Sequence, residues 1–182
     1  MYGRGFRTIL RTLAVAATVM AAAGCVQQVD GAARPAGSAE ALAAAERSFG
    51  YADNRCGLLT DSSVQSALAA DDVVRPYSGA VCQYVLMRDR TMLDATFAWF
   101  DTGALDRERA LAVDRGAEVS DTVIERRPAF LARRDTTGSG CAATAAAGGG
   151  VLSWWVQVRN TADVDVCPDA RKLLSATLSS DM

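Results

Sequence analysis

Five cysteines are the residues of this sequence best suited to covalent chemistry, and they stand at Cys25, Cys56, Cys82, Cys141 and Cys167. No pair has the C-x-x-C spacing that is typical of a zinc knuckle or a redox-active dithiol, so the sequence favours neither metal binding nor oxidoreductase chemistry. Cys25 follows an apolar stretch near the N-terminus, whereas the other four are spread over the rest of the chain. We therefore expect Cys25 to differ from the others in its chemistry.

Histidine is absent from the sequence, and lysine occurs only at Lys172. The absence of histidine excludes Ser-His-Asp and Cys-His nucleophile systems and zinc sites with histidine ligands. A single lysine leaves little for Ser-Lys or Schiff-base chemistry. We therefore expect a protein that is not an enzyme and that uses no cofactor or metal.

Carboxylates offer the one catalytic alternative, a hydrolase of envelope polymers. Such an enzyme needs two acids on opposite sides of a cleft. The candidate acids are Asp94, Asp101, Glu118 and Glu125. Nothing in their spacing brings any two of them together, so this alternative is the less favoured one.

The first 24 residues have the order of a secretory signal. Three arginines at positions 4, 7 and 11 precede an uncharged apolar segment at residues 12–20, and small residues follow it. The uncharged run over residues 12–24 is shorter than the roughly 20 residues that a helix needs to span a bilayer. The sequence therefore predicts a cleaved signal peptide over residues 1–24.

Two cleavage sites are compatible with this signal. Cleavage after the alanines at 21–23 would release a soluble protein beginning at Gly24. Cleavage before Cys25 resembles bacterial lipoprotein processing, although Ala22 stands where the lipobox usually has Leu. The resemblance implies that Cys25 carries a diacylglyceryl group, whose fatty acids would include palmitate. Lipidation would leave an even number of cysteines in an oxidising compartment, so we favour a lipid anchor on the outer face of the plasma membrane.

Without the signal peptide the chain has the length of a single domain with a tether. It then carries 16 basic and 21 acidic residues, which disfavours nucleic acid as a partner. Residues 25–50 are small and polar, then alanine-rich, and predict a lipid-anchored tether and stalk. Residues 51–182 are predicted to form one globular domain.

Hydrophobic periodicity predicts an α+β domain. A helix after Thr60, strands over residues 82–88 and 91–101, and a helix over residues 104–115 come first. Further strands follow, the clearest over residues 151–159, and Pro168 opens a final helix. This order favours an antiparallel sheet with helices packed on one face.

Two disulfides are expected from the four remaining cysteines. Four cysteines permit three pairings, which the sequence alone does not distinguish. We favour Cys56 with Cys82 and Cys141 with Cys167, because these are the shortest closures, each over 26 positions.

Several motifs resemble those of a known family. They are CGLLT at residues 56–60, CQY at 82–84, the strand after Cys141 and VCPDARKLLSATL at 166–178. Together they resemble the actinobacterial secreted lipoproteins grouped as a domain of unknown function, with Tyr84 in place of the usual Trp. The resemblance implies a cell-envelope lipoprotein, and it transfers no catalytic residue.

A candidate binding surface consists of Trp155, Arg126 and Arg127. Strand alternation predicts that Trp154 lies in the core and that Trp155 faces the other way. Arg126 and Arg127 precede the strand that begins near Ala129, and another arginine pair follows it. Such charges bind anions or protect a sheet edge, and we favour edge protection.

The sequence thus predicts a non-enzymatic binding or interaction module that is held on the membrane by its lipid anchor. Its partner would be an envelope protein or an apolar ligand. A carrier or sensor of apolar ligands is the alternative, and it requires a substantial apolar pocket beneath the sheet.

Overall fold

The computed structural model describes residues 49–135, 137–159 and 164–180. All of them belong to one compact unit. The predicted signal peptide, Cys25 and nearly all of the tether and stalk lie outside the described residues. Phe49, the first described residue, is buried and packs its ring against Trp99 with the ring centroids 5.2 Å apart. The domain core therefore includes a residue just before the predicted start at Tyr51.

The described residues form three helices and nine strands. The helices are α1 (Asp61–Ala67), α2 (Leu105–Asp114) and α3 (Cys167–Ser179). The strands are β1 (Tyr51–Ala52), β2 (Arg55–Cys56), β3 (Asp72–Tyr77), β4 (Val81–Arg88), β5 (Thr91–Phe100), β6 (Glu118–Ile124), β7 (Arg127–Arg133), β8 (Gly140–Ala147) and β9 (Gly150–Val158). None of the helices in the described ranges is both long enough and apolar enough to cross a membrane.

Seven strands form one sheet in the order β3-β4-β5-β9-β8-β7-β6, and every neighbouring pair is antiparallel. Strands β1 and β2 form a separate two-stranded sheet. The α+β class and the antiparallel sheet are thus confirmed. Strand β3 was not predicted, and it contains Pro76, which is tolerated because β3 lies at an edge where a missing N–H breaks no ladder.

One face of the large sheet, here called the core face, packs against α1 and α3. It carries the neighbouring residues Cys82, Phe97, Trp154 and Ala143 on four adjacent strands. Helix α3 buries Leu173 and Leu174 against it. The Trp154 Nε1 donates a hydrogen bond to Thr177 Oγ1 at 2.9 Å, so the buried indole N–H is satisfied.

Both disulfides lie at the margins of this core. Cys56 is bonded to Cys82, and Cys141 is bonded to Cys167. The first joins the small sheet to β4, and the second joins β8 to the first residue of α3. The two predicted disulfides are confirmed, with the pairing that the shortest closures favoured.

The opposite side of the sheet, here called the cavity face, carries the third helix. After β5 the chain turns where the Gly103 N–H bonds the Phe100 carbonyl at 3.1 Å, and it then passes over this face. Helix α2 has no buried residue, so its packing is light. It ends at Asp114, and Gly116, two residues later, has the φ of +78° that is typical of a left-handed C-terminal cap. Helices α1 and α3 thus share the core face, whereas α2 lies on the opposite face. Helix α2 has too few apolar side chains on one side to be buried in the core.

Candidate ligand cavity

Trp155 lies on the cavity face, with its indole over Gly140 of the neighbouring strand. An added Cβ at Gly140 would overlap the indole ring, so glycine is needed for this close approach. The Arg134 guanidinium carbon lies 5.7 Å from the centre of the same ring, within the range of a cation–π contact. Trp155 is half-buried, and it is held between a bare strand backbone and an arginine.

A cavity of about 250 Å³ lies between α2 and the cavity face, and Trp155 is part of its wall. Most of the lining is apolar: Ala98, Phe100, Ala112, Ala117, Phe130, Ala132, Ala142 and Val151. The alanines come from β5, β7, β8, α2 and the turn that follows α2, and they face the same space. Because their side chains are short, the helix and the sheet do not meet there, and a hollow remains.

The polar groups of the cavity fall into two sets. On its floor, the hydroxyls of Thr144 and Ser153 form a hydrogen bond with each other at 2.8 Å, so they satisfy one another. The charged lining residues are Glu108 and Arg115 from the helix side and Arg134 from the sheet side. The cavity thus combines an apolar body with a few charged groups, as small-molecule sites usually do.

Arg115 and Arg134 lie at the same end of the cavity. Arg115 caps the C-terminus of α2, shortly before β6 begins at Glu118, and Glu118 is opposite Arg133 in the sheet. Arg134 directly follows Arg133, so it lies at the same end of the strands as Arg115. Within the described part of the chain, neither guanidinium has a carboxylate at ion-pair distance. This end of the cavity is therefore positively charged.

Helix α2 is attached to the sheet mainly by one ion pair. The Arg109 Nε and Nη2 atoms donate to the two carboxylate oxygens of Asp121, at 2.7 and 3.1 Å. The hydrogen bonds and charge of Arg109 lower the pKa of Asp121, and the same contact raises the pKa of Arg109. Both side chains are largely exposed. Within the described residues, α2 therefore has no buried side chain and one ion pair to the sheet.

The other predicted binding residues lie apart from this cavity. Arg126 is in the turn between β6 and β7, and Arg127 begins β7. Arg127 and Arg134 are separated by about 23 Å along the strand. Strand β7 lies between β6 and β8, so the prediction that these arginines protect a sheet edge is wrong, because the edge is β6.

The four candidate acids do not meet in one cleft. Glu118 opens β6, and Glu125 lies just beyond its other end, where it accepts a hydrogen bond from Ser175 Oγ. Asp94 is on β5, four strands away, where it is paired with Arg159. Asp101 follows the end of β5. Within the described ranges, no three His, Cys, Asp or Glu residues are grouped so that they could hold a metal ion.

Sequence reasoning found Trp155 but missed most of its surroundings. Gly140 and Arg115 were not singled out, and Arg134 was assigned to a sheet edge. The one available signal was the number of alanines in the strand-forming segments, such as residues 142–147. Alanine is a poor strand former, so a run of alanines in a strand indicates a surface that its own side chains do not fill.

These features define a small α+β domain with two disulfides and a cavity between a helix and one face of its sheet. The chain belongs to the family described as Protein of unknown function (DUF3558), whose model matches residues 20–180. No curated protein and no solved structure matches the chain. The family match confirms the predicted resemblance to a domain of unknown function.

Proposed function

We propose that this protein is a non-enzymatic binding module of the cell envelope, and that it binds a small apolar ligand in the cavity between α2 and the sheet. The observation that carries this proposal is the apolar hollow of about 250 Å³ with Trp155 in its wall. A hollow of this kind exposes aromatic and aliphatic surface to water. A ligand that displaces the water recovers about 25 cal/mol per Å² of apolar surface.

The light attachment of α2 supports the same function. A ligand must enter beneath the helix, and α2 has no buried side chain to hold it down. The turns that flank α2 contain Gly103 and Gly116, where the backbone is least restricted. Helix α2 therefore serves as a cover that opens for the ligand and closes over it.

The test is the binding of N-phenyl-1-naphthylamine, a neutral aromatic probe whose fluorescence rises in apolar sites. The full chain is titrated in a fixed detergent, and the signal of protein-free detergent is subtracted. Ala142→Leu adds three carbons that occupy part of the cavity and should weaken binding at least tenfold, because the ligand loses about 0.8 kcal/mol of binding free energy for each methylene-sized apolar contact that it can no longer make. Ala146→Leu is the matched control, because Ala146 is on the same strand and face but does not line the cavity.

Equal binding by both variants would contradict the cavity as the binding site. Absence of binding by the unmodified chain would contradict the proposed function itself. Near-identical circular dichroism spectra of the two variants would show that any difference in binding comes from the cavity.

The proposed location is the outer face of the plasma membrane, through a lipid on Cys25. It is supported by the order of the signal segment and by the cysteine count, since the other four cysteines are bonded to one another and leave Cys25 without a partner in its own chain. Cys25→Ser should move the protein from the membrane fraction to the soluble fraction or leave its signal peptide uncleaved. A mature Cys25→Ser protein that remains in the membrane fraction would exclude this anchor.

A further inference from the structure

We propose that the ligand carries an anionic group, which Arg115 and Arg134 bind at one end of the cavity while the apolar body lies along Trp155. This inference rests on the proposed function, because it assigns a ligand class to the same cavity. The feature that carries it is the position of two arginines, both without a carboxylate partner among the described residues, beside an otherwise apolar space.

Arg134 is prepared for this role by its contact with Trp155. The guanidinium lies 5.7 Å from the ring centre, so its position is restrained without the use of an acidic partner. Its N–H groups remain available to an oxyanion. Charge-assisted hydrogen bonds from arginine to carboxylate, sulfonate or phosphate are stronger than neutral ones, and they are often bidentate.

Arg115 supplies the second positive charge from the helix side. It is the C-cap of α2, and the Schellman bonds hold the chain there: Gly116 N–H to Val113 O at 2.8 Å and Ala117 N–H to Ala112 O at 3.0 Å. The C-terminus of a helix carries a partial charge of about −0.5, which opposes an anion. Two full positive charges outweigh this effect at short range.

Glu108 is the one acid that lines the cavity, and it lies away from the two arginines. It precedes Arg115 by two helical turns, which places their backbones about 10 Å apart. An anion in contact with the two arginines is therefore closer to them than to Glu108, and the attraction exceeds the repulsion because Coulomb energy falls with distance. The chain as a whole is acidic, with a formal charge of −2. Preference for an anion must therefore come from these local charges.

The test uses two probes with the same ring system. N-phenyl-1-naphthylamine is neutral, and 8-anilinonaphthalene-1-sulfonate adds one sulfonate to it. Both are titrated into the full chain and into Arg134→Gln and Arg115→Gln, in the same detergent. Arg107→Gln is the matched control, because Arg107 is on α2 and exposed but does not line the cavity.

We expect Arg134→Gln to weaken binding of the sulfonate about fivefold to tenfold, which is the effect of one partly exposed charged hydrogen bond. Arg115→Gln should also weaken binding of the sulfonate. Binding of the neutral probe should change less than twofold in either variant, and Arg107→Gln should change neither probe.

Two results would overturn the inference. Unchanged sulfonate binding in Arg134→Gln would show that the arginine does not contact the anion. An equal loss for both probes would show that Arg134 acts only by packing against Trp155. In either case, continued binding of the neutral probe, blocked by Ala142→Leu, would leave the proposed function intact. If the unmodified chain does not bind the neutral probe, both the proposed function and this inference are wrong.

Discussion

The indole of Trp155 occupies the space that the Cβ of any residue larger than glycine would need at position 140. Glycine within a strand costs conformational entropy and offers no side chain for packing. Gly140 compensates by allowing the aromatic ring to lie against the backbone of β8. The wall of the cavity thus depends on the absence of a single methyl group.

Gly140→Ala should therefore destabilise the protein and distort the cavity. The new methyl group overlaps the indole, and overpacking of this kind costs about 1–3 kcal/mol in the free energy of unfolding. Binding of the neutral naphthylamine should weaken as Trp155 shifts. Urea denaturation followed by tryptophan fluorescence measures the first effect, and probe titration measures the second.

Gly79→Ala is the control for this variant. A Cβ at Gly79 would come no closer than 3.4 Å to the Tyr77 side chain, which is an ordinary contact. Its free energy of unfolding should stay close to that of the unmodified chain. If Gly140→Ala behaves in the same way, Trp155 does not depend on the missing methyl group.

Much of the fold could be predicted from the sequence because its signals are local. Alternation over residues 91–101 and 151–159 predicted β5 and β9 to within one residue at each end. Gly116 and Pro168 marked the end of α2 and the start of α3. The disulfide pairing followed from loop length, because residues 26 positions apart meet more readily than distant ones.

The cavity could not be predicted because it depends on relationships between distant elements. Alanines at positions 98, 112, 132 and 142 are unremarkable one at a time, and only the strand order brings them to one space. The approach of Arg134 to Trp155 depends in turn on the pairing of β7 with β8 and of β8 with β9. Strand β3 was missed because Pro76 argues against a strand unless it is known to lie at an edge.

The two disulfides should contribute about equally to stability. Each closes a loop of 26 positions, for which the chain-entropy model gives about 3–4 kcal/mol. Replacing Cys56 and Cys82 together by Ala, or Cys141 and Cys167 together, should lower the free energy of unfolding by that amount in urea under non-reducing conditions. A loss below about 1 kcal/mol in either double variant would show that loop closure is not what stabilises the fold.

Arg88 links both helices of the core face, so its ion pair should matter more than those on the surface. Its Nη1 donates to Asp169 Oδ2 in α3 at 2.9 Å and to the Leu68 carbonyl after α1 at 3.2 Å. The Asp169 side chain is only 9% exposed. Asp169→Asn should lower the free energy of unfolding by about 2–3 kcal/mol, below the full cost of breaking a buried pair because Arg88 retains some contact with water.

The control for this pair is Asp53→Asn, which removes the exposed ion pair with Arg55. Its side chain is 84% exposed, and such pairs contribute about 0–1 kcal/mol. A double-mutant cycle with Arg88→Gln and Asp169→Asn then measures the coupling directly. Coupling below about 0.5 kcal/mol would show that Asp169 acts through Lys172, 3.5 Å away, or through the N-terminus of α3, and not through Arg88.

Tyr84 should make the fold sensitive to alkaline pH. Its side chain is fully buried beside Trp154, and its hydroxyl has no hydrogen-bond partner within the described residues. Burial raises the pKa of Tyr84 above its ordinary value of 10.0, although the nearby Arg75 guanidinium opposes the shift. Below the unfolded-state pKa both states keep the proton. Above it the unfolded state loses the proton first, so stability falls as the pH rises beyond about 10.

Tyr84→Phe should remove this part of the alkaline loss. At neutral pH the substitution should change the free energy of unfolding by less than about 1 kcal/mol, because it removes only the interaction of the hydroxyl with the Arg75 guanidinium. Urea midpoints from pH 8 to about pH 11 compare the two chains, so that effects common to both cancel in the difference. Tyr77→Phe is the control, since Tyr77 is 58% exposed and its substitution should leave the alkaline loss unchanged. Parallel pH curves for Tyr84→Phe and the unmodified chain would show that Tyr84 ionises in the folded protein as readily as in the unfolded one.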